Sequence, residues 1–202
     1  MPVVTTRITD RVGLVTLNRP EARNALSSEV LAHLPTAMAA LDGDNGVDVI
    51  IRTGADPAFC AGLDLKELGS SAGNLSAGSN EPTARRRPWA ALSKPLIGAI
   101  NGVAITGGFE LALNCDFLVA SERARFADTH ARVGVMPGWG LTVLLPQAIG
   151  VRRARELRVT GNFMGWVTEA RLGGDWLKGR NVSGEVAARR GAIMERGRQQ
   201  VS

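Results

Sequence analysis

The sequence predicts an α/β fold built as a coil of repeated ββα units, and three observations carry that prediction. Short β-branched runs alternate with segments whose apolar residues recur at three- and four-residue spacing. The elements follow one another in a β, β, α order, although no exact internal sequence repeat is visible. No GxGxxG fingerprint follows a strand, which argues against a dinucleotide-binding fold.

Taken in order, residues 3–8 and 12–17 (VVTTRI, VGLVTL) form a hairpin about Asp10-Arg11, and Asn18-Arg19-Pro20 breaks the chain. From Ser28 to Leu41 the apolar positions Val30, Leu31, Leu34, Met38 and Leu41 line one helix face, with Ser27 or Ser28 as the cap and Pro35 as a local cost. Residues 47–54 (VDVIIRTG) read as a buried strand. Residues 69–83, rich in Gly, Ser and Asn, read as a loop beside a site or as a solvent flap. Arg85, Arg86 and Arg87 are expected to open a helix, as a solvated face or as a phosphate clamp. LIGAIN (96–101) is the next strand, Thr106-Gly107-Gly108 opens a helix running to about Asn114, and DFLVAS follows as a strand. A short helix near His130, the turn MPGWG and helices at about 140–149 and 151–160 complete the pattern.

With 202 residues, 45% of them apolar, the chain can bury a substantial core. No run approaches 18 apolar residues, and the first ten residues lack a signal pattern, so neither a membrane nor export is expected. Cys60 and Cys115 read as reduced thiols of a cytoplasmic protein. The net charge of +5 is uneven: residues 165–202 hold 7 Lys/Arg against 4 Asp/Glu, whereas residues 1–164 hold 17 against 15. Arg outnumbers Lys 21 to 3 without a nucleic-acid motif or an aromatic-interleaved basic stripe, so no nucleic-acid partner is expected.

Two glycine-bearing turns carry the candidate chemistry, Phe59-Cys60-Ala61-Gly62-Leu63-Asp64 and Thr106-Gly107-Gly108-Phe109-Glu110. Small residues there let a ligand approach backbone N–H groups, and a helix start adds unpaired donors. Glu110 follows Gly107 by about one helical turn. This places a candidate base near a candidate anion hole, with a plain turn and an exposed carboxylate as the alternative.

The segments LNRPEARNAL (17–26), FCAGLDLKEL (59–68), KPLIGAINGVAITGGFELALNCDFLVAS (94–121), ARFADTHARVGVMPGWG (124–140) and VTG (159–161) resemble, in order and spacing, the crotonase or enoyl-CoA hydratase/isomerase superfamily. The resemblance implies a ββα spiral, a homotrimer or hexamer, and an acyl-CoA substrate whose coenzyme A is no separate cofactor; no metal is implied. Carried over by position, it places oxyanion donors on Ala61 and Gly107 and the first of two hydratase glutamates on Glu110. Substrate-binding segments fall on Ala22 to Asn24 and on Ala61, Leu63, Asp64 and Leu65, mostly through backbone groups.

The second glutamate should lie twenty residues after Glu110, where this sequence has His130. An imidazole can exchange protons near neutrality, so hydration remains open, as do isomerisation and mere acyl-CoA binding. Asp128 is a substitute acid or base, and His130 as a pocket wall is the alternative. Cys60 reads as a packed residue rather than a nucleophile.

The resemblance covers a core over residues 1–164 and fades in an atypical basic tail over residues 165–202, so the helical C-terminal region is expected to be truncated or altered. With G as the third base of the Gly174 codon, reading from that base turns Gly-Asp-Trp-Leu into Gly-Leu-Ala or Gly-Leu-Val, resembling the Gly-Leu-Val the family carries there. A frameshift near Gly173 or Gly174 is therefore expected, against a short paralogue with a differently folded tail that includes a helix over residues 183–196.

Overall fold

A computed structural model describes residues 1–70 and 87–165. Residues 71–86 lie outside the described residues, and with them most of the loop expected over 69–83 and also Arg85 and Arg86. So does the tail beyond Gly165, with its expected helix and altered C-terminus.

Strands β1 (Val4–Thr9) and β2 (Val12–Leu17) pair antiparallel. Asp10 and Arg11 both take positive φ, 48° and 63°, the geometry that matches a tight turn to the strand twist. Helix α1 (Ser28–Gly43) starts where the Ser27 side chain accepts from the Val30 amide, and it buries Val30, Leu34, Met38 and Leu41. These are the positions its periodicity predicts. Pro35 sits inside the helix without ending it.

β3 (Val49–Gly54) and β4 (Leu96–Ile100) add parallel to β2, and β6 (Phe117–Ala120) adds parallel to β4. The sheet order is β1-β2-β3-β4-β6. A second, smaller sheet pairs β5 (Val103–Ile105) with β7 (Arg125–Ala127) in parallel and β7 with β8 (Met164–Gly165) antiparallel. Single parallel bridges, Leu26 with Leu63 and Cys60 with Ala104, extend this second layer.

The coil is thereby visible. Each turn gives one strand to the large sheet, then a strand or bridge to the second layer, then a helix. The helices are α1, α2 (Leu65–Ser70), α3 (Gly107–Leu113) and α4 (His130–Val133), followed by α5 (Leu141–Ile149) and α6 (Val151–Thr160).

The α/β spiral agrees with the sequence, with one correction. From Arg87 the chain runs through bends and loop into β4 rather than into a helix. Pro88 and Pro95, which lack an N–H and disfavour helical backbone before them, account for this. Among the described residues no helix is long and apolar enough to cross a membrane.

Candidate active site

The second layer brings the two glycine turns together. A Cβ on Gly107 would stand 3.2 Å from Leu26 Cδ1, 3.2 Å from Trp139 Cζ3 and 3.9 Å from Gly62 Cα. Three distant segments thus converge on the start of α3. Gly108 is more tightly held, since a Cβ there would lie 2.2 Å from the Cys60 carbonyl oxygen.

Of the two expected oxyanion donors, Gly107 stands at the first position of α3, where its amide has no partner inside the helix. Ala61 does not fit the role, because its amide donates to the Arg23 carbonyl at 3.0 Å. Two residues on, the Leu63 amide is oriented differently. Leu26 donates to the Gly62 carbonyl at 2.8 Å and accepts from the Asp64 amide at 3.1 Å, so the Leu63 amide faces away from that bridge. Among the described residues, nothing accepts from the Leu63 or Gly107 amide.

The expected binding segments are built structurally. Asn24, buried with φ of 56°, donates to the Ala55 and Ala58 carbonyls and accepts from the Arg19 amide. Asp64, also buried, accepts from Arg19 Nη1 at 2.9 Å and from the Lys66 amide. Burial would raise the Asp64 carboxyl, but Arg19 and the Lys66 and Glu67 amides outweigh it and hold it below the ordinary range. Both side chains are consumed in holding the loops. Ala22 is half-buried and Leu65 exposed, so they are free to line an approach.

Glu110 and His130 are both buried and meet, with Glu110 Oε2 3.6 Å from His130 Nε2. That is an ion-pair contact rather than a hydrogen bond. Glu110 Oε1 accepts from the Trp139 amide at 2.7 Å and the Leu141 amide at 3.3 Å. On the far side of the ring, His130 Nδ1 lies 2.8 Å from Asp128 Oδ1, and Asp128 Oδ2 lies 3.5 Å from Arg158 Nε. Burial works against charge on His130, yet Asp128 and Glu110 outweigh it and push its pKa up to about 9. Two acidic side chains thus flank the ring and favour its protonated form.

Glu110, Trp139 and Gly107 thus lie together at the start of α3. Cys60 is buried and its thiol is pushed up to about 12 by desolvation, which agrees with a packed residue. The contact of Glu110 with the MPGWG turn had no signal in the sequence.

The sequence profile described as enoyl-CoA hydratase/isomerase matches residues 7–174. The chain belongs to the enoyl-CoA hydratase/isomerase family. It is 44% identical over 150 residues to the probable enoyl-CoA hydratase 1, peroxisomal, of Arabidopsis thaliana, a match covering 74% of this chain and 56% of that protein. It is 40% identical over 161 residues to a probable enoyl-CoA hydratase of Rhizobium meliloti, covering 76% and 60%. The crystal structure of enoyl-CoA hydratase from Mycobacterium tuberculosis H37Rv superposes with a TM-score of 0.73 at 48% identity, covering 84% of this chain and 69% of that one. The chain therefore spans under two thirds of the length of these two curated relatives.

Proposed function

We propose that this chain carries an enoyl-CoA hydratase site that adds water across the double bond of an acyl-CoA thioester. The observation that carries the reading is the approach of Glu110 and His130 to 3.6 Å, one helical turn from the unpaired Gly107 amide. The Gly107 and Leu63 amides hold the thioester oxygen as negative charge develops on it, and each such donor is worth about 2.7 to 4 kcal/mol in the barrier. Glu110 orients water and takes its proton as oxygen bonds to the β-carbon. His130, an imidazolium at neutral pH, supplies a proton to the α-carbon of the enolate. The proton left on Glu110 then returns to His130 Nε2 across their contact, and the site is reset. Water addition changes no net oxidation state, so coenzyme A enters as part of the substrate and no redox group is required.

Assembly as a homotrimer or hexamer belongs to the same proposal, and light scattering tests it. The resemblance supports it, as does apolar surface on the edge strand β6, where Phe117 and Val119 are exposed. Paired measurements of crotonyl-CoA turnover and crotonyl-CoA binding test the activity. Hydration to the 3-hydroxyacyl product is expected. Double-bond migration alone would make the site an isomerase, and binding without turnover would leave an acyl-CoA-binding protein.

A further inference from the structure

We propose that Asp128 is a positioning residue: its carboxylate accepts Nδ1–H of His130, fixes the tautomer and direction of the ring, and aims Nε2 at Glu110. The proposal rests on the active-site reading above and deepens it. Asp128 is fully buried, and its Oδ1 accepts from the His130 ring at 2.8 Å and lies 3.4 Å from the His130 amide. One carboxylate oxygen thereby faces both the ring and the backbone of His130. Oδ2 has no hydrogen-bond partner among the described residues and faces only Arg158 Nε at 3.5 Å.

A buried carboxylate costs several kcal/mol unless its surroundings compensate it. Asp128 would gain most by a full set of donors, and one of its oxygens lacks them. The hydrogen bond to His130 is its main compensation. The same geometry removes Asp128 as an acid or base acting on substrate. It lies on the Nδ1 side of the ring, whereas Glu110 lies on the Nε2 side, so Asp128 stands behind the imidazole. An acid that holds one ring nitrogen leaves the other free for proton transfer, the arrangement that fixes a tautomer. The charged groups facing the pair are Glu110 from α3, Asp128 from the β7–α4 connection and Arg158 from α6.

The chain contains two histidines, so a His33→Gln background isolates the His130 ring for nitrogen NMR. His33 is exposed on α1 and remote in sequence from Asp128 and His130. In that protein, His130 is expected to titrate near 9 rather than 6.5, with the proton retained on Nδ1 in the neutral form. Asp128→Asn is expected to lower the titration toward 6.5 and mix the tautomers. It should also lower kcat by about 10-fold or more, as loss of an aligned proton donor does, while KM for crotonyl-CoA stays within about 2-fold. Asp128→Glu, which keeps the charge, should restore a raised titration. An Nε2–H tautomer in the parent protein, or a titration unmoved by Asp128→Asn, would overturn the proposal. The parent tautomer decides the matter even where Asp128→Asn does not fold. Absence of crotonyl-CoA turnover in the parent protein would sink the hydratase reading, while the ring's titration and tautomer still decide the role of Asp128.

Discussion

The backbone amide of Trp139 donates to Glu110 Oε1 at 2.7 Å, joining the turn before α5 to α3 across 29 residues. With the Leu141 amide at 3.3 Å it fixes one carboxylate oxygen and leaves the other facing His130. The two oxygens therefore face different partners, one the backbone of the turn before α5 and one the imidazole.

That division predicts different outcomes for two variants of Glu110. Glu110→Gln keeps an acceptor for the Trp139 and Leu141 amides but cannot take a proton from water, so turnover should fall by about 10² to 10⁴-fold with little change in melting. Glu110→Ala strands both amides in a buried site and should cost about 1 to 3 kcal/mol of stability as well. Crotonyl-CoA kinetics and thermal melts of the two proteins check this. Wild-type turnover in Glu110→Gln would remove the carboxylate from the chemistry.

Adjacent glycines should fail in different ways. At Gly107 an added Cβ meets side-chain ends, Leu26 Cδ1 and Trp139 Cζ3 at 3.2 Å, which can move by a few tenths of an ångström. At Gly108 it meets the Cys60 carbonyl oxygen at 2.2 Å, and backbone cannot yield so readily. Gly108→Ala should therefore lower stability by more than about 1 to 3 kcal/mol, the usual cost of overpacking. Gly107→Val should fold yet lose turnover, because its branched side chain fills the space a thioester must enter. Chemical denaturation beside kinetics separates the two, and a folded Gly107→Val enzyme with full activity would refute the placement of the anion hole.

The fold was legible because it rests on local patterns: the Val30, Leu34, Met38 and Leu41 spacing, the Asp10-Arg11 turn and the alternation along β2 are each set within a few residues. The site was legible only where it is equally local, as with Gly107 and Glu110 on one turn of α3. In the other loop the sequence pointed to the Ala61 amide, which is paired, whereas the amide without an acceptor among the described residues is that of Leu63, because Gly62, with φ of 91°, breaks the alternation of amide directions along that segment. Sequence spacing carries no record of that rotation. Asp128 was visible as a neighbour of His130, but whether it faces the substrate or the back of the ring depends on the turn between β7 and α4.

The Arg19 and Asp64 pair should hold the Leu63 donor in place. Their side chains are 20% and 11% exposed, and Arg19 also donates to the Ala25 carbonyl, so one cation ties both binding loops. Breaking a fully buried pair costs about 3 to 5 kcal/mol, and the residual exposure here puts Asp64→Ala below that range. The variant should also raise KM for crotonyl-CoA more than it lowers kcat, since the loop shifts while Glu110 and His130 stay joined. An unchanged KM in a destabilised protein would leave the pair as a fold element alone.

Stability should fall on both sides of a window set by these buried groups. His130 is raised from 6.5 to about 9 on folding, so its contribution is complete below pH 6.5 and is lost as pH rises through 9. Asp64 and Asp128 are lowered from 3.8, so theirs are complete above that value and fade as pH falls through their lower folded-state values. Between about pH 4 and 6.5 both sets are present, and stability there should be greatest. Urea denaturation at fixed pH measures the profile. From pH 6.5 to 9 the free energy of unfolding should decline in the native chain and decline less in His130→Gln, which has no imidazole to lose its proton. Parallel curves for the two proteins over that range would mean that His130 does not hold its proton between Asp128 and Glu110.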